Sequence, residues 1–270
     1  MFSATQRGSS TTRRPSVIRT LQYLMPPLVA FAVLLVAWQA LAAHNPQAIP
    51  PLGAIWRALV DEPGRFVSNS LWTIDEMAVG LVTSALVAFW LAVFMTHVRV
   101  VERALMPLAV VLNVTPVVSF APGLLLLFGF SMMPRYIVTA IIVFFPFLVN
   151  SFVGLRSVDP DVLDFFLTLN ASKPEILWRL RLPSSLPYLF AAARIGVPLS
   201  LVGAVVAEFT TSGNSRGLGA TIEIAYQQFG DLPVVYASVV CLAVIGVLSS
   251  SVVIFGERRL LRWSRPERPH

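Results

Sequence analysis

Six predominantly apolar runs of about 20 residues dominate the chain, each long enough to cross the ~30 Å hydrocarbon core of a bilayer at ~1.5 Å per helical residue. They lie near Met25 to Ala43, Met77 to Thr96, Leu105 to Phe128, Arg135 to Leu155, Leu189 to Phe209 and Val234 to Phe255. With 56% hydrophobic residues, 13% charged residues and a mean hydropathy of +0.74, 270 residues are too apolar for a soluble core. The expected fold is therefore all-α and polytopic, with six transmembrane helices. The first run follows several arginines and contains Ala40-Leu41-Ala42, which resembles a signal cleavage site. Its apolar stretch exceeds the ~7–15 residues of a signal peptide, which favours an uncleaved helix over the cleaved alternative. No internal repeat is evident.

The charges orient the runs. The formal net charge is +6, but the basic residues gather at the ends of apolar runs rather than on one face, which disfavours a nucleic-acid partner. With both termini inside, 15 basic residues fall on the cytoplasmic side: Arg7, Arg13, Arg14 and Arg19, Arg99 and Arg103, Arg156, Lys173, Arg179 and Arg181, and Arg258, Arg259, Arg262, Arg265 and Arg268. Only Arg57, Arg65, Arg135 and Arg216 fall opposite, with Arg194 inside the fifth run. Short loops rich in arginine stay in the cytoplasm. The expected organisation is a basic cytoplasmic tail (1–24), a transmembrane domain (25–257) with a cytoplasmic loop at 156–185, and a second basic tail (258–270), set in a bacterial inner membrane.

Several chemistries are excluded by what the chain lacks. Lys173 is the only lysine and stands between Ser172 and Pro174, so no phosphate-cradling Gly-Lys-Ser/Thr loop exists and the chain has no such ATP site of its own. Cys241 is the only cysteine, and His44, His97 and His270 have no ligand spacing, so neither a disulfide nor a metal site is expected. No His-Glu-x-x-His, acidic cluster or Gly-x-Ser-x-Gly marks an integral membrane enzyme.

The polar segment from Asp159 to Pro183 reads as two short helices. Asp159 before Pro160 is a helix start: the carboxylate caps free amides and proline fits the first helical position. Asn170 tolerates the left-handed backbone that closes a helix near Leu169. Ser172 and Glu175 stand at capping-box spacing and open a second helix, which would expose Ile176, Leu177 and Leu180 on one stripe beside Arg179 and Arg181 before ending at Pro183. Such a loop is either a docking surface or a connector lying on the membrane.

At these residues the chain resembles the membrane subunits of binding-protein-dependent ABC importers, of the nitrate, sulfonate and taurine type. Their loop carries Glu-Ala-Ala, three residues, Gly, nine residues, then Ile-x-Leu-Pro. The frame falls here on Asp164-Phe165-Phe166, Asn170 and Leu180-Arg181-Leu182-Pro183. The spacing is kept, while Phe165 and Phe166 depart from the two alanines by adding bulk where the family packs a helix into its ATPase. The likeness extends from Ile49-Pro50-Pro51 through Pro116, Pro122 and Phe128-Gly129 of a proline-broken third helix to Ala207-Glu208-Phe209 and Gly217-Leu218-Gly219. It implies a type I ABC importer permease fold, a second permease copy (a homodimer), two cytoplasmic ATPases that bind the ATP and Mg, an external solute-binding protein, and no cofactor in this chain. It also implies an ATPase contact at Asp164, Phe165, Phe166, Asn170, Ile176, Leu177, Leu180 and Pro183. The solute would be a small anion such as nitrate, taurine or another sulfonate; the third and fourth runs also resemble relatives that carry thiamine-type pyrimidines or riboflavin.

Polar side chains in the spans mark a candidate translocation path. Pro116 and Pro122 each delete a backbone donor, and carbonyls freed in this way are satisfied by water or polar groups in a cavity. Asn113, Thr115, Ser119, Asn150, Ser151 and Ser200 are the residues to line it, or alternatively to join helices. Glu208 and Arg194 are the ionisable groups expected inside a span, each reaching toward its nearer end, with Glu208 as a packing or gate residue. Gly213 to Gly219 reads as a flexible outer loop. The rival class, a stand-alone secondary transporter or channel, requires its own ion-coupling site or filter, against which the scarcity of intramembrane charge and the lack of a repeat both argue.

Overall fold

Helix is the only regular secondary structure among the residues that the computed structural model describes, 17–211 and 216–261. The chain divides into two units, residues 1–54 and 55–270. In the first, α1 (Val17–His44) carries Pro26 and Pro27 and is followed by a turn that is tied back to it. The Trp38 indole N–H donates to the Pro50 carbonyl at 3.1 Å, and the Leu52 amide donates to the Gln39 side chain at 3.3 Å. α2 (Leu52–Asp61) begins in this unit and runs into the second.

The second unit contains α3 (Pro63–His97), α4 (Arg99–Val114), a 3-10 turn (Val117–Phe120), α5 (Ala121–Phe128), α6 (Met133–Arg156), α7 (Pro160–Thr168), α8 (Lys173–Ile176), α9 (Leu182–Thr210), α10 (Leu218–Ile224) and α11 (Leu232–Leu260). Among the described residues five helices are long and apolar enough to cross a membrane, and the pair formed by α4 with the segment to Phe128, bent by 94°, makes a sixth when counted as one broken span. The bend falls inside the run from Leu105 to Phe128, at the prolines expected to break the third helix. Thr115 is extended, Pro116 has no N–H to continue the ladder, and the Thr115 hydroxyl turns back to the Val111 carbonyl at 2.8 Å.

α6 is the central helix, packed along α3 on one side and α9 on the other. Apolar side chains gain little by leaving lipid for one another, so close van der Waals packing of small residues has to hold these helices together. Gly80, Ser84, Ala88 and Ala92, four residues apart on α3, form such a buried stripe. On α9, Gly196 lies so close to α6 that a Cβ there would meet the Phe147 ring at 2.5 Å. Ala88, Ala92, Met95, Val143, Leu148 and Ala192 fill the core between the three helices.

Two other boundaries differ from the sequence reading. The second span starts at Pro63 rather than Met77, because the polar first half of α3 is a packed helix whose Thr73 and Glu76 are fully buried. Pro183 does not end a helix. It sits in the first turn of α9, which continues from α8 through a π turn (Leu177–Arg181), so that Lys173–Thr210 is one membrane-length helix of 38 residues. The π turn makes room for the proline: the amide of Leu182 bonds to the carbonyl of Leu177, five residues back.

Candidate functional site

Two polar assemblies stand at the two ends of this 38-residue helix. The first is the loop that precedes it. Asp159 caps α7 by accepting from the Asp161 amide at 2.9 Å, with Pro160 at the first helical position. Asn170 closes α7 in the left-handed region at φ 53°, the only non-glycine residue with positive φ among those described. Ser172 and Glu175 form a complete capping box: the Glu175 amide donates to the Ser172 hydroxyl, and the Ser172 amide donates back to the Glu175 carboxylate at 3.0 Å. These three local rules read from the sequence thus fix the turns that they specified, whereas the one for Pro183 does not.

The faces of that loop differ from expectation. Ile176 is 7% exposed and Leu177 packs against the core between α3 and α6, so this part of the stripe anchors the loop to the bundle instead of facing outward. Leu180 and Pro183 are half-buried. The outward surface is made by Asp164, Asn170, Phe165 at 59% exposed and Trp178 at 57%, with Leu167 and Leu169 beside them. Phe166 is half-buried and meets Phe165 edge-on, with ring centroids 6.4 Å apart. Arg156, at the base of the loop, forms a two-pronged ion pair with Glu102 of α4 at 2.5 and 2.9 Å.

The second assembly is a buried ionic network. Arg135, at the start of α6, was expected among the outer flanking charges; its side chain is instead fully buried. Its Nη1 donates to Glu76 of α3 at 2.8 Å and to the Arg216 carbonyl at 2.9 Å, and its Nε donates to the Thr211 hydroxyl at 2.6 Å. Glu208, expected to reach outward from the end of its span, is 1% exposed. Its carboxylate accepts from the Thr73 hydroxyl at 2.7 Å and from the amides of Gly219 and Ala220 at the start of α10. Thr73 in turn accepts from the Leu218 amide at 2.9 Å, and Asn69 from the Gly217 amide at 3.1 Å. The segment at 216–220 is therefore clamped. This corrects the reading of a flexible loop for its described part; Gly213 lies outside the described residues. Gly217 has φ +102°, and a Cβ there would collide with the Glu208 carboxylate, so glycine is required twice over.

Glu76, Thr73, Asn69 and Thr211 were not singled out in the sequence. The available signal was an acidic residue one position before the predicted second span and an arginine opening the predicted fourth, both on the same side of the membrane. Arg194 pairs with Glu257 of α11, consistent with its lack of a partner on its own helix.

The proposed path residues are dispersed. Pro116, Ser119 and Pro122 are exposed around the bend, and Thr115 is half-buried there. The Asn150 amide donates to the carbonyl of Pro146 at 2.8 Å. Ser151 and Ser200 are fully buried, Ser200 bonded to the Val197 carbonyl at 2.8 Å, so these two sit at helix contacts and not in an open channel. Asn113 lines a cavity of about 630 Å³ between α3, α4 and α6. Among the described residues no group of three metal-ligating side chains exists.

Residues 80–262 match the family described as binding-protein-dependent transport system inner membrane component. Among curated proteins, the formylaminopyrimidine transport permease protein ThiX of Halalkalibacterium halodurans is 32% identical over 92% of this chain and 99% of its own length. The riboflavin transport system permease protein RibX of Chloroflexus aurantiacus is 31% identical over 96% and 98%, and the nitrate import permease protein NrtB of Leptolyngbya laminosa 26% over 95% and 94%. Near full-length likeness of this kind, the family match and the set of apolar helices fix the class: the chain is a multi-pass inner membrane protein and belongs to the binding-protein-dependent transport system inner membrane components, the permeases of ABC importers.

Proposed function

We propose that the chain is the membrane-spanning subunit of an ATP-driven importer and that the loop at 157–181 is the element by which cytoplasmic ATPases move it. The observation that carries this reading is the uninterrupted helix from Lys173 to Thr210, which joins the loop to the buried network at its far end. At ~1.5 Å per residue, 38 residues make a lever of roughly 57 Å, longer than the bilayer core. Ile176 and Leu177 root the loop in the bundle, while Phe165, Asp164 and Trp178 face outward. A force applied to that surface is delivered to α9 without a hinge at Pro183. At the other end, Glu208 ties α9 to α3 and to the start of α10, and Arg135 adds α6. Closure of two ATPases would move these helices as a body and switch the path between two accesses.

The partners are two ATPases that bind ATP and Mg, a second permease copy and an external solute-binding protein; chemistry on nucleotide belongs to the ATPases. The solute falls in one of the two groups that the relatives' names print, small anions or heteroaromatic vitamins and precursors. Copurification tests the reading: a tagged chain isolated in mild detergent brings an ATPase with it, and vesicles containing the complex take up solute only with ATP inside. A chain that purifies alone and transports without ATP overturns it.

A further inference from the structure

Arginines gather where α4 begins, α6 ends and the π turn leads into α9. Arg156, in the last turn of α6, is held from two sides: its guanidinium lies over the Phe152 ring at 4.2 Å and forks onto the Glu102 carboxylate at 2.5 and 2.9 Å. Arg181 sits in the π turn, which packs against α6, and lies close enough to Arg156 to feel its charge. It is half-buried and makes no hydrogen bond or ion pair with any described residue. Arg99 and Arg103 stand exposed on either side of Glu102 at the start of α4. Among the described residues Glu102 is the one carboxylate that pairs with any of these four arginines, and it is engaged by Arg156. Arg181 is thereby left as a partly desolvated cation beside a second cation, a costly arrangement that an anion lying between them would relieve.

The depth of the pair indicates which anion. The helix from Arg181 to Thr210 is ~44 Å long at ~1.5 Å per residue, which matches the ~40–45 Å from one headgroup layer of a bilayer to the other. With Thr210 at one layer, Arg181 falls in the opposite one. Apolar side chains adjoin the arginines there: Val100, next to Arg99, is 76% exposed, and Val153, one turn before Arg156, is 47% exposed. A phosphodiester at this level meets guanidinium donors with its oxygens while its acyl chains run along apolar helix surface. The surface assigned to the ATPase lies elsewhere, on α7 and Trp178.

We propose that Arg156 and Arg181 form a site for the phosphate of an anionic phospholipid, held where α4, α6 and the root of the loop meet. The inference needs the membrane assignment alone, so it can fail without the ATP-driven reading and survive without it. In the test, the full chain, with the subunits that copurify, is placed in nanodiscs of equal phosphatidylglycerol and phosphatidylcholine, moved into mild detergent, and its retained lipid measured by native mass spectrometry. Phosphatidylglycerol is retained in preference to phosphatidylcholine. Arg181→Gln lowers that preference about fivefold, and Arg181→Lys keeps most of it. A control that removes charge elsewhere, Arg258→Gln with Arg259→Gln at the exposed end of α11, leaves it unchanged. Arg181 bonds to nothing in the bundle, so Arg181→Gln keeps the fold; a thermal midpoint no lower than the parent's verifies this. Equal retention of the two lipids overturns the proposal, as does a preference that the α11 control reduces as much as Arg181→Gln does, since diffuse surface charge then accounts for it. Saturable binding of inorganic phosphate in phosphatidylcholine nanodiscs, abolished by Arg181→Gln, assigns the site to a free anion and overturns the lipid. A lipid preference unmoved by Arg181→Gln, together with weakened ATPase association, puts a partner's carboxylate in the place of the phosphate and overturns it as well.

Discussion

Arg135 and Glu76 are completely shielded from solvent and face each other at 2.8 Å, so each makes the other tolerable inside the bundle. Removing one partner of a buried pair leaves an uncompensated charge, at a cost of about 3–5 kcal/mol, whereas replacing both by apolar residues of similar volume is often near neutral. Arg135→Met is therefore expected to lower the thermal midpoint of the detergent-purified protein strongly, and Arg135→Met combined with Glu76→Met to recover a large part of the loss. A single variant as stable as the parent would show that the pair carries no such burden. Gly217→Ala is a sharper case, combining a left-handed backbone with a collision against Glu208. Loss of stability on the order of 1–3 kcal/mol is expected from strain alone, read as a lowered midpoint and as new protease cleavage near 216–220. At this scale the sequence was legible where a residue acts on its own neighbours, as at Asp159, Asn170 and the Ser172 and Glu175 box. It was opaque where partners are distant in the chain: Thr73 and Glu208 are separated by 135 positions, and Arg135 and Glu76 by 59.

Among the elements, the loop shows why a correct local reading still misplaced a surface. Capping rules set where α7 and α8 begin, but which side of α8 faces out depends on the core between α3 and α6, against which Leu177 packs. The same limit applies to Pro183. Proline disfavours a helix interior, yet a π turn before it absorbs the mismatch and the helix goes on. The element therefore divides into an anchoring side and an outward side, with separable effects. Phe165→Ser is expected to leave folding intact and to weaken ATPase association at least tenfold, measured by pull-down from membranes. Ile176→Ser is expected to destabilise the permease itself, seen as a lower thermal midpoint. Equal behaviour of the two variants would contradict the division. Asn170→Gly is expected to preserve ATPase binding, while Asn170→Val, forced to φ 53°, costs about 1–2 kcal/mol and loosens the loop.

The whole molecule joins these pieces through α9 and its extension. Apolar run lengths located the spans except for the start of α3, because a bilayer demands them whatever the tertiary structure, and the 94° break fell at the prolines. Run lengths carry no information on how polar helix ends meet, which is why the ionic network emerged only from the packing of α3, α6 and α9. In the proposed mechanism an ATPase grips the outward surface of the loop and the helix transmits the motion. Cys241 is the only native cysteine, so Cys241→Ala gives a background for single-cysteine crosslinking. In the isolated complex, Asp164→Cys and Leu169→Cys, both on exposed positions, are expected to form adducts with the ATPase through a short bifunctional maleimide, and the buried Ile176→Cys is not. Adducts from Ile176→Cys alone, or none from either exposed position, would contradict the account.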